Sequence, residues 1–358
     1  MATATETLHG LIEQLFQPGA NPRPDGSMGA EFEVIPIRNR SLRRVPIHAT
    51  QEGPGTADIA RDAARLQGWE EETDDYGAPR WNMPDGGRLC YEPGGQFEII
   101  SPVFASASDL SIHLRNSLRV LRASAASADV QLLALGIDPY NTIDTVALEL
   151  HAPRYDVMTA YFNGIGESGV RMMRQTASVH VSVELGPNVM QRWELLNSLA
   201  PYLIAMFANS DRYGARSTGY ASYRAHQWQT LDPGRTGLPF DAVDPVGAYA
   251  RFARHAGRIL SEDSAHLTTL FPEIRPRGYF EIRSLDSMEP DRIDAALQFI
   301  SRIVHDPDTA SAALRIIGPP DSSLLSHAAL NGRSDPLLKP RIDLLERLVA
   351  EASRIDPR

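Results

Sequence analysis

The chain has 358 residues, 42% of them hydrophobic, and its 45 acidic and 35 basic residues give a net charge of -10. It contains no run of lysine and arginine and no stretch near the ~18 apolar residues of a membrane span, so we expect neither a nucleic-acid partner nor a membrane partner. We expect no secretory signal in the first residues. The single cysteine, Cys90, excludes a disulfide within the chain and a zinc site of four thiolates. We therefore expect a cytoplasmic protein that acts on small molecules, as a monomer or a homodimer.

Apolar residues at helical spacing predict helices along the whole chain. The predicted helices cover residues 6–17, Thr56 to about Gln67, a segment opening at Ser108-Asp109, residues 189–208, a segment starting at Asp244-Pro245, Pro290 to Ile303, and Pro340 to about Arg354. The helix over 189–208 is apolar nearly all round, so we expect it to lie buried beneath a sheet. The acidic run over 70–75 is interpreted as a solvated loop, because blocks of like charge repel.

Four short segments alternate polar with apolar residues, as strands with one buried face do. They cover residues 29–34, 92–99, 176–184 and 278–283. One face of these segments carries the polar side chains Glu31, Glu33, Gln96, Glu98, Ser178, His180, Ser182, Glu281 and Arg283. The other face carries the apolar side chains Phe32, Val34, Phe97, Ile99, Val179, Val181, Val183, Phe280 and Ile282. Because the strands occur singly between helices, we expect an antiparallel or mixed sheet.

The polar face of such a sheet would crowd carboxylates around one histidine and one arginine. This crowding is unfavourable unless cations neutralise it, and carboxylate oxygens with an imidazole suit Mg²⁺ or Mn²⁺. The pattern therefore favours a site for several metal ions. Each part also has a plainer interpretation. Glu31-x-Glu33 alone is typical of the solvated side of an edge strand, His180 alone of a structural histidine, and Glu281-x-Arg283 alone of a surface ion pair.

A polar, glycine-rich stretch over 209–240 combines arginines with aromatic residues. Loops carry binding functions disproportionately, and arginine recognises carboxylate and phosphate groups with two parallel hydrogen bonds. The stretch is therefore interpreted either as a lid that clamps anionic substrates or as a solvated loop with incidental arginines. Its arginine and aromatic residues include Arg212, Arg216, Arg224, Arg235, Tyr213, Tyr220, Tyr223 and Trp228.

The familiar phosphate-binding motifs are missing from the sequence. There is no GxxxxGK[ST] loop and no GxGxxG after a strand. The glycine-rich run over 164–169 superficially resembles a phosphate cradle, but it lies between Tyr161-Phe162-Asn163 and a helix-like segment, so a turn is the better interpretation.

The run Glu92-Pro93-Gly94-Gly95-Gln96-Phe97-Glu98 resembles the EPGGQxE signature of plant-type and actinobacterial glutamate–cysteine ligases. Further segments resemble the same family in the same order, and the resemblance spans about residues 28–290. These segments are 135–139, 154–158, 172–179, 208–210, 224–228, 232–237, 266–273 and 278–283.

The resemblance implies a glutamine-synthetase-like fold of the α+β class, with a curved antiparallel sheet and helices packed on its outer face. We expect a single catalytic domain over 1–358. Its core would span about 28–305, its lid loop 209–240 and a C-terminal helical extension 306–358. The chain is short for this family.

The resemblance also implies ATP-dependent amide formation on the γ-carboxylate of glutamate, through a γ-glutamyl phosphate, with Mg²⁺ or Mn²⁺ as the metal and ATP as co-substrate. It gives Arg283 and Arg224 catalytic roles, and we expect Arg174, Arg235 and Trp228 to bind substrate or phosphate. At position 180 plant-type members usually carry glutamine, so the histidine is a departure. The implied metal ligands are Glu31, Glu33, Glu92, Glu98, His180 and Glu281.

Cysteine is the expected acceptor amine, because that is what the resembling family uses most often. Apolar slots discriminate poorly between side chains of similar size, by ~1–3 kcal/mol per methylene. Another amino acid or amine in a specialised pathway is therefore the alternative. A protein that binds nucleotide without catalysis is the rival from another functional class.

Overall fold

The centre of the protein is an antiparallel sheet, seen in a computed structural model that describes residues 7–19 and 22–355. The strands of these residues are β1 (Met28–Arg38), β2 (Glu70–Thr73), β3 (Pro79–Asn82), β4 (Arg88–Tyr91), β5 (Phe97–Ile100), β6 (Val130–Leu133), β7 (Ser178–Val183), β8 (Arg212–Tyr213), β9 (Arg216–Ser217), β10 (Thr236–Gly237), β11 (Phe271–Pro272), β12 (Ile274–Pro276) and β13 (Phe280–Asp286). Nine of them form the central sheet, in which eight follow the order β12-β13-β7-β1-β5-β4-β3-β2 and β6 pairs with the second half of β1. The other four form two small pairs, β8 with β9 and β10 with β11.

The alternation of side chains along these strands confirms the two predicted faces. Phe32 on β1 lies opposite Ile99 on β5 and Val179 on β7, and Ile282 on β13 lies opposite Val181 on β7. All nine apolar residues predicted for this face are at most 1% exposed. The face is therefore part of the main core of the protein, and the side chains between them point to the opposite surface.

Helices surround the sheet. They are α1 (Leu8–Leu15), α2 (Thr56–Gln67), α3 (Ala107–Ser127), α4 (Pro153–Asn163), α5 (Ser168–Gln175), α6 (Val189–Phe207), α7 (Tyr223–Leu231), α8 (Pro245–His255), α9 (Asp263–Leu267), α10 (Pro290–His305), α11 (Pro307–Ile317), α12 (Ser323–Asn331) and α13 (Lys339–Ile355). Helix α6 packs on β13, α3 packs on β1 and β6, and α10 packs on both helices. No helix of the described residues is long and apolar enough to cross a membrane.

Most of the predicted helices are confirmed, with shifts of a few residues at their ends. Helix α6 is buried along nearly its whole length, as its all-round apolar character predicts. Helix α3 begins at Ala107, one residue before the predicted Ser108-Asp109, because the side chain of Ser106 caps it by accepting from Asp109 N over 3.1 Å. Helix α8 has the expected cap, in which Asp244 accepts from Gly247 N over 2.7 Å. The turn predicted at 164–169 is present over residues 164–167, between α4 and α5, and the last two residues of the run begin α5.

The acidic run over 70–75 is not the predicted loop. Residues Glu70–Thr73 form β2, an exposed edge strand paired with β3. Arginines on neighbouring elements offset the repulsion between its carboxylates. Arg61 bonds Glu71 at 3.0 Å, and Arg80 bonds Glu72 at 3.1 Å.

The segment 209–240 is not the predicted loop either. It contains the short β8–β9 hairpin and helix α7, which packs on α5 and α12. Hydrogen bonds tie the hairpin to the rest of the protein. Ala215 N donates to Pro139 O over 2.7 Å, and the Tyr213 hydroxyl donates to Gln175 Oε1 over 3.0 Å. The role of a lid for this segment stays a prediction.

The predicted C-terminal extension consists of α11, α12 and α13. Buried residues of these helices, among them Ala313, Leu325 and Ile342, belong to the same core as the sheet. The extension is thus packed onto the body of the protein along the residues that the structure describes.

Candidate active site

The polar face of the sheet holds a first group of metal-ligating side chains, Glu31, His180 and Glu281. Their ligand atoms lie within 4.8 Å of one another. Glu31 on β1 is directly opposite His180 on β7, and His180 Nδ1 is 3.0 Å from Glu31 Oε2. Glu281 comes from β13, the next strand beyond β7. We call these three residues the first triad.

A second group consists of Glu33, Glu92 and Glu98, whose ligand atoms also lie within 4.8 Å of one another. Glu33 on β1 is directly opposite Glu98 on β5. The alternation over 92–99 predicted that Glu92 lies on a strand, and this is wrong. Glu92 begins the turn between β4 and β5, in which Gly95 N donates to Glu92 O over 2.8 Å. We call these residues the second triad.

The two glycines of this turn explain how Glu92 reaches the site. A Cβ atom on Gly94 would lie 2.1 Å from the carbonyl oxygen of Arg174, so no side chain fits there. Gly95 has a φ of +77°, which favours glycine. The turn therefore packs tightly on the end of α5, and this contact fixes the position of Glu92.

A single serine connects the two triads. Ser178 Oγ donates to Glu33 Oε1 over 2.7 Å and lies 2.9 Å from His180 Nε2. Ser178 N donates to Glu33 Oε2 over 2.9 Å. Both oxygens of Glu33 are thus held, and the imidazole of His180 is oriented with Nδ1 toward Glu31. The contact between Ser178 and Nε2, the ring nitrogen that points away from Glu31, fixes the orientation and the tautomer of the imidazole, as such contacts do for histidines that bind metals.

The carboxylates of the second triad resist ionisation. Burial, reinforced by the charge of Glu92, raises the pKa of Glu33 to about 8. Burial and the charge of Glu31 raise the pKa of Glu92 to about 7. Burial and the charges of Glu31 and Glu92 raise the pKa of Glu98 well above its usual range. Crowded acidic oxygens of this kind make a site that a divalent cation stabilises.

The first triad has the opposite electrostatics. Burial would raise the pKa of Glu281, but Arg275 and Arg283 outweigh burial and hold this pKa far below its usual range. Burial would also raise the pKa of Glu31, but the hydrogen bond with His180 helps to bring it below the usual value. Burial and the charge of Arg283 lower the pKa of His180 to about 4, so the imidazole is neutral and can offer a lone pair to a metal.

Three arginines converge on Glu281, which is 1% exposed. Arg275 Nη1 donates to Oε1 over 3.2 Å and Arg277 Nη1 donates to Oε2 over 3.1 Å. Arg283 Nη1 donates to Oε1 as well. One carboxylate therefore faces three guanidinium groups, and the excess positive charge at this end of the site suits a polyanion such as a triphosphate.

The predicted catalytic arginines and Trp228 come together. The guanidinium carbons of Arg283 and Arg224 lie 5.0 and 5.2 Å from the centre of the Trp228 ring. Arg224 is 2% exposed, and its Nη2 donates to the carbonyl oxygen of Arg283 over 2.8 Å. Its Nη1 is 3.7 Å from Asp286. Arg224 thus supports the strand segment that carries Arg283.

The other two predicted substrate contacts are bound to protein groups. Arg235 is fully buried, and its guanidinium bonds Asp232, Thr269 and Gly257, so each of its nitrogens already has an acceptor. These contacts engage the whole guanidinium group of Arg235 within the protein, and its binding role stays a prediction. Arg174 donates from Nη1 to Val146 O over 3.3 Å. The role of Arg174 stays a prediction.

Several residues of the site escaped prediction from the sequence. Arg275 pairs across the β12–β13 hairpin with Glu281, and the glycine at 278 was the available signal for that turn. The alternation along β7 predicts the face on which Ser178 lies, but it does not reveal that this serine links the two triads. Cys90 is opposite Glu98, to which its Sγ donates over 3.0 Å. The alternation of β4 would have put this thiol on the site face.

Comparison with known proteins identifies relatives of this chain. The family described as glutamate-cysteine ligase family 2 matches residues 27–332. The chain is similar to "Glutamate--cysteine ligase EgtA" of Mycolicibacterium smegmatis, with 32% identity over 307 residues, 75% of this chain and 72% of the relative. It is also similar to the chloroplastic glutamate–cysteine ligase of Arabidopsis thaliana, with 26% identity over 353 residues, 88% of this chain and 66% of the relative.

Among solved structures, the chain resembles a glutamate–cysteine ligase of Francisella tularensis that was crystallised in complex with AMP. The TM-score is 0.56 at 13% identity, over 93% of this chain and 79% of the other. At this identity the likeness concerns the fold alone. Together with the antiparallel sheet and its outer helices, it confirms the predicted α+β class with a glutamine-synthetase-like architecture.

Proposed function

The chain belongs to glutamate–cysteine ligase family 2, and we propose that it joins the γ-carboxylate of glutamate to the amine of cysteine in an ATP-dependent reaction. The observation that carries this proposal is the pair of triads, six ligand side chains in all, beside the three arginines that meet at Glu281. The names of the relatives, glutamate–cysteine ligases of bacteria and plants, support cysteine as the acceptor.

The residues present fit divalent cations. Five carboxylates and one neutral imidazole make a hard donor set of the kind that Mg²⁺ prefers and Mn²⁺ accepts. The first triad would hold one ion through Glu31, His180 and Glu281, and the second would hold another through the three remaining glutamates. When bound, such ions supply positive charge that offsets the repulsion between phosphate oxygens and the acidic face.

We assign the adenosine part of ATP to a cavity of about 170 Å³ beside Glu31. Its lining residues come largely from β1 and β7 and include the aromatic Tyr279 and the hydroxyl-bearing Ser182, residue types that suit a base and a ribose. From this cavity the phosphates would extend over the first triad toward Arg277 and Arg283. The AMP bound to the Francisella ligase supports a nucleotide as co-substrate.

The reaction follows from the need to activate an unreactive carboxylate. An oxygen of the glutamate γ-carboxylate attacks the γ-phosphorus of ATP, the bond from that phosphorus to the bridging oxygen breaks, and ADP leaves. Glu281 and the Trp228 ring hold the guanidinium of Arg283 in place. There it would stabilise the negative charge of the phosphoryl group as this group passes from the bridging oxygen of ATP to the carboxylate oxygen. The product of this step is γ-glutamyl phosphate.

The amine of cysteine then attacks the γ-carbonyl carbon. The bond from that carbon to the phosphate oxygen breaks, inorganic phosphate leaves, and the nitrogen gives up a proton to water. Water must be kept from the acyl phosphate in the meantime. We assign this task to the segment 209–240, because its helix α7 carries both Arg224 and Trp228 to the site.

The proposal is tested by supplying the protein with glutamate, ATP, Mg²⁺ and a panel of amines. We expect ADP release that requires glutamate, and a γ-glutamyl product that forms fastest with cysteine when all amines compete. A faster reaction with another amine would retain the γ-glutamyl ligase and overturn the acceptor. Binding of ATP without ADP release for any amine would mean a non-catalytic nucleotide-binding protein.

A further inference from the structure

Asp286 is a buried carboxylate that the proposed reaction does not use. It ends β13, shortly after Arg283, and is 1% exposed. It belongs to neither triad. Gly136 packs so closely on it that a Cβ atom on the glycine would lie 2.4 Å from the carboxyl carbon of Asp286. Burying a carboxylate is unfavourable unless hydrogen bonds and opposite charges compensate, so the partners of Asp286 indicate its role.

In the described chain, the hydrogen-bond and ion-pair partners of the Asp286 carboxylate belong to one segment, 209–224, which is distant in sequence. Oδ2 accepts from the backbone nitrogen of Asn209 and from the hydroxyl of Ser210, both over 2.7 Å. Oδ1 accepts from the hydroxyl of Ser222 over 2.9 Å and lies 3.7 Å from Nη1 of Arg224. One carboxylate therefore ties both ends of this segment to the last residue of β13.

The two serines connect this carboxylate to helix α7. Ser222 Oγ accepts from Ala225 N over 3.0 Å and so caps the helix. Ser210 Oγ accepts from Arg224 N over 3.1 Å. Each hydroxyl donates to Asp286 and accepts from the first turn of α7, so its position is fixed from both sides. The start of α7 is thus held by Asp286 through two hydrogen-bonded links.

Helix α7 brings a second guanidinium group next to Arg283. Arg224 and Arg283 both lie over the Trp228 ring, at 5.2 and 5.0 Å from its centre, and Arg224 Nη2 donates to the carbonyl oxygen of Arg283 over 2.8 Å. Two buried like charges repel unless each faces an anion. Arg283 faces Glu281, and Arg224 faces Asp286. Asp286 thus supplies both the anchor of α7 and the charge that allows Arg224 to lie beside Arg283.

We propose that Asp286 is a positioning residue for the pair Arg224 and Arg283, which it holds together by fixing α7 on β13. This inference rests on the proposed ligase function and adds to it a residue that belongs to neither triad and acts through Arg224. With the pair already in place, the charge of the moving phosphoryl group meets guanidinium groups that need not rearrange. A displacement of such groups by about 1 Å lowers a rate about 100-fold, so loss of the anchor should appear in kcat.

The test compares Asp286→Asn and Asp286→Ala with the unaltered protein. We expect kcat for glutamate-dependent ADP release to fall about 10- to 100-fold in Asp286→Ala. The fall should be smaller in Asp286→Asn, which keeps an acceptor oxygen but loses the charge. Mn²⁺ affinity, measured by electron paramagnetic resonance, should stay within about twofold, because neither triad is altered. Asp306→Ala is the control, since it removes a carboxylate that accepts from Asp308 N and Thr309 N at the start of α11.

A double variant separates positioning from a general effect on folding. If Asp286 acts through Arg224, adding Asp286→Asn to Arg224→Ala should lower kcat by no more than about twofold further, whereas independent effects multiply. Multiplied losses, a fall in Mn²⁺ affinity as large as the fall in kcat, or an unchanged kcat in both Asp286 variants would overturn the inference.

Hydrogen exchange followed by mass spectrometry tests the anchor without relying on activity. We expect faster exchange of the amides over 222–231 in Asp286→Asn, but not in Asp306→Ala, and unchanged exchange in Asp286→Asn would overturn the inference. If the Asp286 variants do not fold, Ser222→Ala replaces them in both measurements. It removes one link and keeps the carboxylate, so kcat should fall by about 2- to 10-fold. Absence of glutamate-dependent ADP release in the unaltered protein would instead overturn the proposed function.

Discussion

At the residue scale, the acidic side chains of the site differ in the charges that surround them. Glu33 faces two other carboxylates, Glu92 and Glu98, whereas Glu281 is enclosed by three arginines. The same change from carboxylate to amide therefore has different physical consequences at the two positions. At Glu33 the change relieves repulsion between carboxylates, whereas at Glu281 it leaves buried guanidinium groups without their anionic partner.

We expect Glu33→Gln and Glu281→Gln both to abolish ligation but to differ in stability. Glu33→Gln should leave the free energy of unfolding nearly unchanged, because it removes one of several crowded acids. Glu281→Gln should lower it by about 3 kcal/mol, since breaking a buried ion pair leaves uncompensated charge. Urea unfolding without divalent cations measures the difference, with Glu13→Gln on the exposed side of α1 as the control. Equal stability of the two variants would contradict this account of the charges.

Ser178 gives a second prediction at this scale, because its hydroxyl contacts both Glu33 and His180. Ser178→Ala should weaken divalent-cation binding about 10- to 100-fold, as loss of a supporting hydrogen bond to a metal ligand does. Ser178→Thr keeps the hydroxyl and should retain most of the affinity. Mn²⁺ titration followed by electron paramagnetic resonance measures the binding. Ser198→Ala on α6 is the control, because it removes a buried hydroxyl that has no hydrogen-bond partner among the described residues. Unchanged Mn²⁺ affinity in Ser178→Ala would mean that the serine does not support the site.

At the element scale, the turn that carries Glu92 depends on the absence of a side chain at Gly94. In Gly94→Ala the new Cβ would lie 2.1 Å from the Arg174 carbonyl oxygen, so the turn must move. We expect a loss of about 1–3 kcal/mol in the free energy of unfolding, as overpacking gives, together with a higher Mg²⁺ requirement because Glu92 is displaced. Gly19→Ala, whose Cβ would meet nothing within 4 Å, is the control. Wild-type stability and Mg²⁺ dependence in Gly94→Ala would show that the turn tolerates a side chain.

The sequence predicted strands with alternating faces better than it predicted turns and short helices. The period of two placed Glu31, Glu33 and His180 on one face because one side of the sheet is buried against helices. The same period failed at 92–96, where the Pro-Gly dipeptide marks a turn. Helix α7 has few apolar residues and is formed by packing on α5 and α12, which local sequence does not reveal.

At the scale of the whole molecule, the site depends on strands and turns far apart along the chain. The order of β13, β7, β1 and β5 brings residues 31, 92, 180 and 281 to one surface. Pattern alone indicated which residues share a face, but the division into two triads required the register of the strands. The arginines at 275 and 277 belong to the site because β12 forms the next strand of the same sheet.

Because the ligands meet only in the folded chain, divalent cations should stabilise the fold as a whole. A ligand that binds only the folded state at 100 times its Kd adds about 2.7 kcal/mol to the free energy of unfolding. We expect Mg²⁺ to raise the thermal unfolding midpoint and expect Glu33→Gln to reduce this rise. Scanning calorimetry with and without Mg²⁺ measures both. A midpoint that does not respond to Mg²⁺ would argue against a cation site at the triads.

The central claim is that ATP activates the glutamate side chain by phosphorylating it before the amine attacks. The most direct measurement uses glutamate labelled with ¹⁸O in both γ-carboxylate oxygens, together with ATP, Mg²⁺ and cysteine. The attacking oxygen stays with phosphorus when the amide forms, so each turnover should release one inorganic phosphate that carries one ¹⁸O, seen by mass spectrometry. Unlabelled phosphate would mean that ATP hydrolysis is separate from glutamate, and label in AMP would mean that the carboxylate is adenylylated instead. Either result would contradict the account.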